Sequence, residues 1–264
     1  MENNMYLPFR SKIINIKPHT DIDYTFRMEF TGDVKPGQFF EVSIPKYGEA
    51  PISVNEIGTD YVDLTIRKVG KVTDVIHTFY PGQYLFMRGP YGNGFDVNIY
   101  KDKELIVAAG GTGLAPVKGI IDYFSNHIDS IKKFSLICGF KSSSDILFKE
   151  SFKQWNPKIE TTVTVDKEEE GYDGNVGLIT EYVKKLEIEN IREANVIVVG
   201  PPIMMKFTVQ EFINKGIKEE NIWVSYERKM CCGIGKCGHC KINDTYICLE
   251  GPVFNYIKAK ELLD

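Results

Sequence analysis

The apolar residues of this chain change their spacing once, near residue 100, and that change limits what it can fold into. From about residue 10 to 97 they fall in short alternating runs such as "QFFEVSIP", "YVDLTIRKV" and "QYLFMRGP", broken by "KPGQ", "NEIGTD" and "YPGQ". Short period-two runs between Gly/Pro turns predict a small antiparallel barrel or sandwich. After "YKDK" the runs become continuous: "ELIVAA" (104–109) leads through a glycine turn into the amphipathic "LAPVKGIIDYF", then into "FSLICG". This strand-helix-strand pattern repeats through "IETTVTV", "GLITEYVKKLE", "NVIVVG", "PIMMKFTVQEFINKG" and "NIWVSYE". It predicts a doubly wound parallel sheet covered by helices on both faces. Beyond Glu227 the helical pattern stops and cysteines begin, so the predicted division is 1–98, 99–226 and 227–264.

With 264 residues, a net charge of −4 and a pI near 5.7, the chain is large enough for a sizeable core and too acidic overall for a general phosphate-backbone binder. No nucleic-acid partner is expected. The start, "MENNMYLPFRSKIINIKP", lacks the apolar core of a secretory signal, and no segment reaches the roughly 18 apolar residues of a membrane helix. The expectation is a cytoplasmic protein with no membrane contact. The acidic run "DKEEEGYDG" (166–174) reads as a solvated loop between strand and helix.

Five of the six cysteines lie between Cys231 and Cys248, too bunched to staple a chain of this length, so thiolate ligation is the better reading. Starting at Cys232, the spacing Cys232-x4-Cys237-x2-Cys240-x7-Cys248 matches the plant-type 2Fe-2S run. Gly233, Gly235 and Gly238 suit a loop that turns sharply and brings backbone N–H groups toward sulfur. "KINDTYI" reads as a hairpin turning at Asn243-Asp244, which carries Cys248 back to the loop. Structural zinc is the alternative, though it more often takes two C-x2-C knuckles. Cys231 reads as a bystander, Cys138 as a small buried hydrophobe and His239 as solvent-facing.

"AAGGTGLAPV" follows a buried strand and opens a helix, the setting in which Gly110, Gly111 and Gly113 would let a backbone approach a pyrophosphate. With Thr112 and Ala115-Pro116, the segment resembles the G-G-T-G-x-A-P turn of the ferredoxin-NADP reductase superfamily. Other stretches resemble that superfamily in the same order. "APISV" (50–54) is similar to its R-P-x-S segment, implying flavin contacts at Pro51, Ile52 and Ser53. "TIRKVGKVT" (65–73) is similar to its second flavin segment, implying that Thr65, Ile66, Arg67, Val72 and Thr73 hold FAD, its diphosphate on Arg67, Thr73 and backbone N–H groups near Val72. "RGPYGNGF" (88–95) resembles the turn that closes the barrel, and "VVGPPIMM" (198–205), with Gly200 and Pro201, the segment near the nicotinamide. The superfamily's usual arginine before Pro51 is Ala50 here, which leaves Arg67 to carry the positive charge.

The resemblance implies a mixed fold: an FAD-binding antiparallel β-barrel at 1–98, an NAD(P)-binding α/β sheet at 99–226 and a 2Fe-2S segment at 227–264. The segment "ERKMCCGIGKCGHC...CLEGPVF" is similar to the electron-transfer subunits of class 1B dihydroorotate dehydrogenases. The whole chain resembles the B subunits of anaerobic sulfite reductases. What this implies is an oxidoreductase subunit that takes hydride from NADH, or NADPH, onto FAD and passes single electrons through a 2Fe-2S cluster. The acceptor implied is the iron-sulfur and siroheme subunits of a sulfite reductase complex, which reduces sulfite to sulfide. A dihydroorotate dehydrogenase or another flavin partner is the alternative within the class, and a non-catalytic or zinc-stabilised nucleotide-binding regulator the alternative outside it. No general base is expected, because the cofactors carry the chemistry. NADH is preferred, although "GFKSSSD" (139–145) offers Lys141 and serines to a 2′-phosphate.

Overall fold

The structure is a computed structural model and describes residues 4–262. Among these residues, β1 (Phe9–Pro18), β2 (Asp23–Glu29), β3 (Phe39–Ile44), β4 (Gly48–Ile57), β5 (Tyr61–Arg67) and β6 (Tyr84–Tyr91) form a closed antiparallel barrel in the order β1-β2-β5-β4-β3-β6. Closure comes from β6 pairing with β1, Met87 opposite Phe9. The alternation seen in the sequence is the barrel's inside: Phe26 and Met28, Phe40 and Val42, Leu64 and Ile66, and Met87 fill it. Closing the sheet pairs the edges that a sandwich would leave exposed. A short helix, α1 (Lys71–Ile76), bridges β5 and β6 and buries Ile76.

The second half opens with β7 (Glu104–Gly110), buried along its whole length as a strand covered on both faces must be. There follow α2 (Leu114–Asn126), β8 (Lys133–Phe140), α3 (Lys149–Trp155), β9 (Glu160–Val165), β10 (Asn175–Val176), α4 (Ile179–Lys185), β11 (Asn195–Val199), α5 (Pro202–Asn214) and β12 (Ile222–Ser225). The pairings among β7 to β12 are all parallel. The sheet order is β10-β9-β8-β7-β11-β12-β15, its last strand being β15 (Val253–Asn255). The chain therefore winds outward from β7 through β8, β9 and β10, then returns to lay β11 on the other side of β7. That reversal is a topological switch point, where open α/β sheets bind ligands at the carboxyl ends of their strands.

The cysteine segment forms the two-stranded hairpin β13 (Lys241–Ile242) and β14 (Thr245–Tyr246), then α6 (Ile247–Glu250). Asn243 turns the hairpin with a φ of 50°. After β15 comes α7 (Tyr256–Ala259), so the chain beyond the cysteines supplies the sheet's edge. By packing, the chain divides into two compact units. One holds residues 4–95 together with Tyr226–Val253; the other holds Asp96–Ser225 and residues 254–262. Among the described residues no helix is long and apolar enough to cross a membrane.

Candidate functional site

In the first unit the cysteine loop gathers its sulfurs by backbone geometry. Gly233, Gly235 and Gly238 adopt φ values of +73°, +67° and +80°, the left-handed region that side chains resist. The turns this allows aim N–H groups at sulfur. Lys236 N and Cys237 N donate to Cys232 Sγ at 3.3 and 3.4 Å, Gly235 N to Cys248 Sγ at 3.3 Å, and Cys248 N to Cys240 Sγ at 3.5 Å. The thiols meet in two pairs, Cys237 with Cys232 and Cys248 with Cys240. Cys232, Cys240 and Cys248 are buried and Cys237 is exposed. The His239 backbone N–H, ahead of other causes, holds the Cys237 thiol below its ordinary value; burial and the Cys240 side chain push Cys248 up.

This donor set fits an iron-sulfur cluster on its chemistry. The four cysteines share one loop, backbone N–H groups are directed at their sulfurs, and the loop's one histidine ring, His239, is exposed. Cys231 lies half-exposed beside the set, and Cys138 is fully buried in β8 with its thiol pushed up by burial, an inert hydrophobe.

The barrel positions the two flavin segments of the sequence reading. Pro51, Ile52 and Ser53 lie on β4 opposite β3, all three half-buried. Arg67, at the end of β5, forms a two-pronged pair with the buried Asp23 at 2.8 and 2.9 Å, which sets the direction of its guanidinium. Thr65 Oγ1 is engaged with Thr25 at 2.7 Å and Asn55 at 3.0 Å, and Ile66 points into the core. Thr73 Oγ1 accepts from the N–H groups of Val69 and Gly70, both at 3.1 Å, so its hydroxyl shapes the turn into α1. That leaves the N–H groups of Lys71, Val72 and Thr73 at the helix start without helical acceptors.

In the second unit the glycine turn sits at the switch point. Gly110 ends β7, Gly111 has a φ of +54°, and Thr112 and Gly113 lead into α2. A Cβ on Gly113 would stand 2.6 Å from Val199 O and 2.7 Å from Gly200 Cα, so the turn and the end of β11 touch backbone to backbone. A Cβ on Gly110 would meet Pro201 at 3.2 Å and one on Gly200 would meet the Met204 sulfur at 2.8 Å. The geometry thus brings together Gly110, Gly111, Thr112, Gly113, Gly200 and Pro201, residues that lie some 90 positions apart in the chain.

Three acidic or basic side chains escaped the sequence reading. Glu169 receives the Ser143 backbone N–H at 3.1 Å and the Ser143 hydroxyl at 2.6 Å, joining the acidic loop to the "GFKSSSD" loop. Glu41, on β3, is fully buried and neither carboxylate oxygen has a partner among the described residues; burial, then the charge of Glu49, pushes it up to about 8, so it is an uncharged acid at neutral pH. Arg88, on β6, is buried against the cysteine loop. A lone charged residue in an alternating strand carries no local signal of such a partner.

Residues 107–210 match the family "Oxidoreductase NAD-binding domain", and residues 227–259 match "Iron-sulfur cluster binding domain of dihydroorotate dehydrogenase B". The chain is 34% identical to the sulfhydrogenase 2 gamma subunit of Pyrococcus furiosus, over 97% of both chains. It is 30% identical to the dihydroorotate dehydrogenase B (NAD(+)) electron transfer subunit of Fusobacterium nucleatum, covering 87% of this chain and 90% of the relative. Among solved structures, an NADH-dependent reduced ferredoxin-NADP oxidoreductase involved in flavin-based electron bifurcation superposes with a TM-score of 0.78 at 22% identity, over 96% of this chain and 92% of the other, which shows a common fold.

Proposed function

The chain belongs to the ferredoxin-NADP reductase-type family, close to the dihydroorotate dehydrogenase B electron-transfer subunits and the sulfhydrogenase gamma subunits, and from that membership we propose how its residues divide the work. It is an NAD(P)H-dependent flavin and iron-sulfur electron-transfer subunit of a larger oxidoreductase. FAD accepts electron pairs from a nicotinamide and releases them singly, which is the conversion that a 2Fe-2S cluster downstream requires.

In our reading Cys232, Cys237, Cys240 and Cys248 would hold that cluster. The observation that carries it is the set of N–H groups aimed at three of these sulfurs, which would favour thiolates. Pro51, Ile52 and Ser53 would face the flavin ring. Arg67, Thr73 and the backbone N–H groups near Val72 would line its diphosphate, supplying positive character where Ala50 supplies none, and Thr65 and Ile66 would hold the strand that carries Arg67. Gly110, Gly111, Thr112 and Gly113, with Gly200 and Pro201, would receive the nicotinamide nucleotide.

NADH is the nucleotide we assign. Glu169 already occupies the Ser143 donors at the end of β8, the position from which a Rossmann-type site reads the ribose, and its carboxylate would repel a 2′-phosphate. Glu169→Gln is expected to raise activity with NADPH relative to NADH about tenfold, the effect of removing one like charge worth about 1.4 kcal/mol. An unchanged ratio of kcat/KM values would remove Glu169 from the selectivity.

For the acceptor we propose the iron-sulfur and siroheme subunits of a sulfite reductase complex, in the cytoplasm. The support is the resemblance running from "YGEAPISV" through "AGGTGLAPVKG" to the cysteine segment. A dihydroorotate dehydrogenase partner is the second reading, favoured by the match over residues 227–259. Adding the loaded chain and NADH to each candidate partner separates them. Sulfide formed with siroheme subunits supports the first, whereas dihydroorotate formed from orotate with a dehydrogenase subunit alone replaces it by the second.

A further inference from the structure

The stretch "RGPYGNGF", read from the sequence as the turn that ends the barrel, touches both ends of the cysteine loop. At the loop's start, Arg88 donates from Nη1 to Cys232 O at 2.5 Å and from Nη2 to Cys231 O. The same guanidinium is held from behind by Glu49, Nε to Oε2 at 3.1 Å and Nη2 to Oε1 at 2.7 Å, and by the Tyr91 hydroxyl at 3.3 Å. It is only 4% exposed. In the middle, the Tyr91 ring lies where a side chain on Gly233 would have to be. At the loop's end, Asn93 Nδ2 donates to Glu250 O at 2.9 Å and to Val253 O at 2.8 Å, its Oδ1 accepts from Val253 N, and its own N–H donates to Gly251 O at 2.7 Å. A Cβ on Gly92 would stand 2.6 Å from Pro252 Cδ, so the two stretches lie in contact there too.

We propose that residues 88–93 clasp the cysteine loop, and that Arg88 is the positioning residue that selects Cys232 over Cys231 as the first ligand. The inference rests on the cluster reading above. Adjacent cysteines present their side chains in different directions, and whichever way the Cys231-Cys232 backbone turns decides which sulfur joins the set. Arg88 fixes that choice because both carbonyls are bound to one rigid planar fork, itself locked by Glu49. Cys232 Sγ then receives the N–H groups of Lys236 and Cys237, and Cys231 is left half-exposed outside. Lysine at 88 would keep the charge and lose the fork.

The test compares the full chain with Arg88→Gln, Arg88→Lys, Arg88→Gln/Cys231→Ser and Cys231→Ser, reading iron per chain, FAD per chain and the electron paramagnetic resonance of the reduced cluster. Cys231→Ser is expected to match the parent. Arg88→Gln is expected to show a second cluster species that disappears in the double variant, and to lose iron to a chelator about tenfold faster, equivalent to about 1.4 kcal/mol, because its charge-assisted bonds are gone. If Arg88→Gln loses FAD as well as iron, Arg88→Lys carries the comparison and the same second species is expected of it. A single parental spectrum and parental iron release in a variant that retains FAD would overturn the clasp. A parent chain with FAD but no iron-sulfur signal would instead overturn the cluster reading itself.

Discussion

The two glycine-rich turns of this molecule, 110–113 in the sheet unit and 233–238 in the barrel unit, look alike as sequence and owe their glycines to different physics. At Gly113 the obstacle is external: a Cβ would meet Val199 O at 2.6 Å, and a backbone carbonyl in a buried strand cannot step aside. In the cysteine loop the demand is internal at every glycine, and only Gly233, against the Tyr91 ring, adds a close external obstacle of comparable severity. All three glycines have φ between +67° and +80°, while a Cβ on Gly238 would meet nothing within 4 Å and one on Gly235 only the Leu249 side chain. The first turn packs backbone to backbone against the end of β11, whereas the second bends a chain around its own sulfurs.

Substitution should separate the two demands. Gly113→Ala is expected to cost the most, about 3 kcal/mol, because overpacking against backbone has no side chain to relax. Thermal unfolding followed together with NADH binding checks this, and a loss under 1 kcal/mol would mean that β11 yields. Gly233→Ala combines a φ of +73° with collision against the Tyr91 ring, and about 2 kcal/mol is expected with a visible loss of bound iron. Gly111 sharpens the contrast from inside the first turn. Its φ is +54° and its surroundings are open, so Gly111→Ala should resemble Gly238→Ala, each about 1 kcal/mol, rather than its neighbour at 113. The smallest effect is expected from Gly238→Asn, a residue that tolerates the left-handed region, at a few tenths of a kcal/mol by the same unfolding measurement.

Both turns were legible in the sequence because their signals are local. The strand before Gly110 and the helix after it define one context, and the spacing of Cys232, Cys237, Cys240 and Cys248 defines the other. The barrel was legible as alternation, though its choice over a sandwich depends on β6 meeting β1, a pairing across some 70 residues that no periodicity encodes. The same is true of the strand β15, which follows the cysteines and yet belongs to the sheet's edge. Arg88 was illegible for this reason as well: its partners Cys231 and Cys232 lie more than 140 residues away, and an arginine on an alternating strand reads as solvent-facing. Arg67 is proposed through resemblance, while its partner Asp23, 44 residues earlier, appeared only in the structure.

The central claim is that one chain joins a flavin site to a 2Fe-2S site in working order. Purified without oxygen, the chain should carry FAD with about two irons and two acid-labile sulfides, and its visible bands should bleach at both the flavin and the cluster when NADH is added. Zinc in place of iron, or a flavin that bleaches while the cluster bands stay, would contradict it.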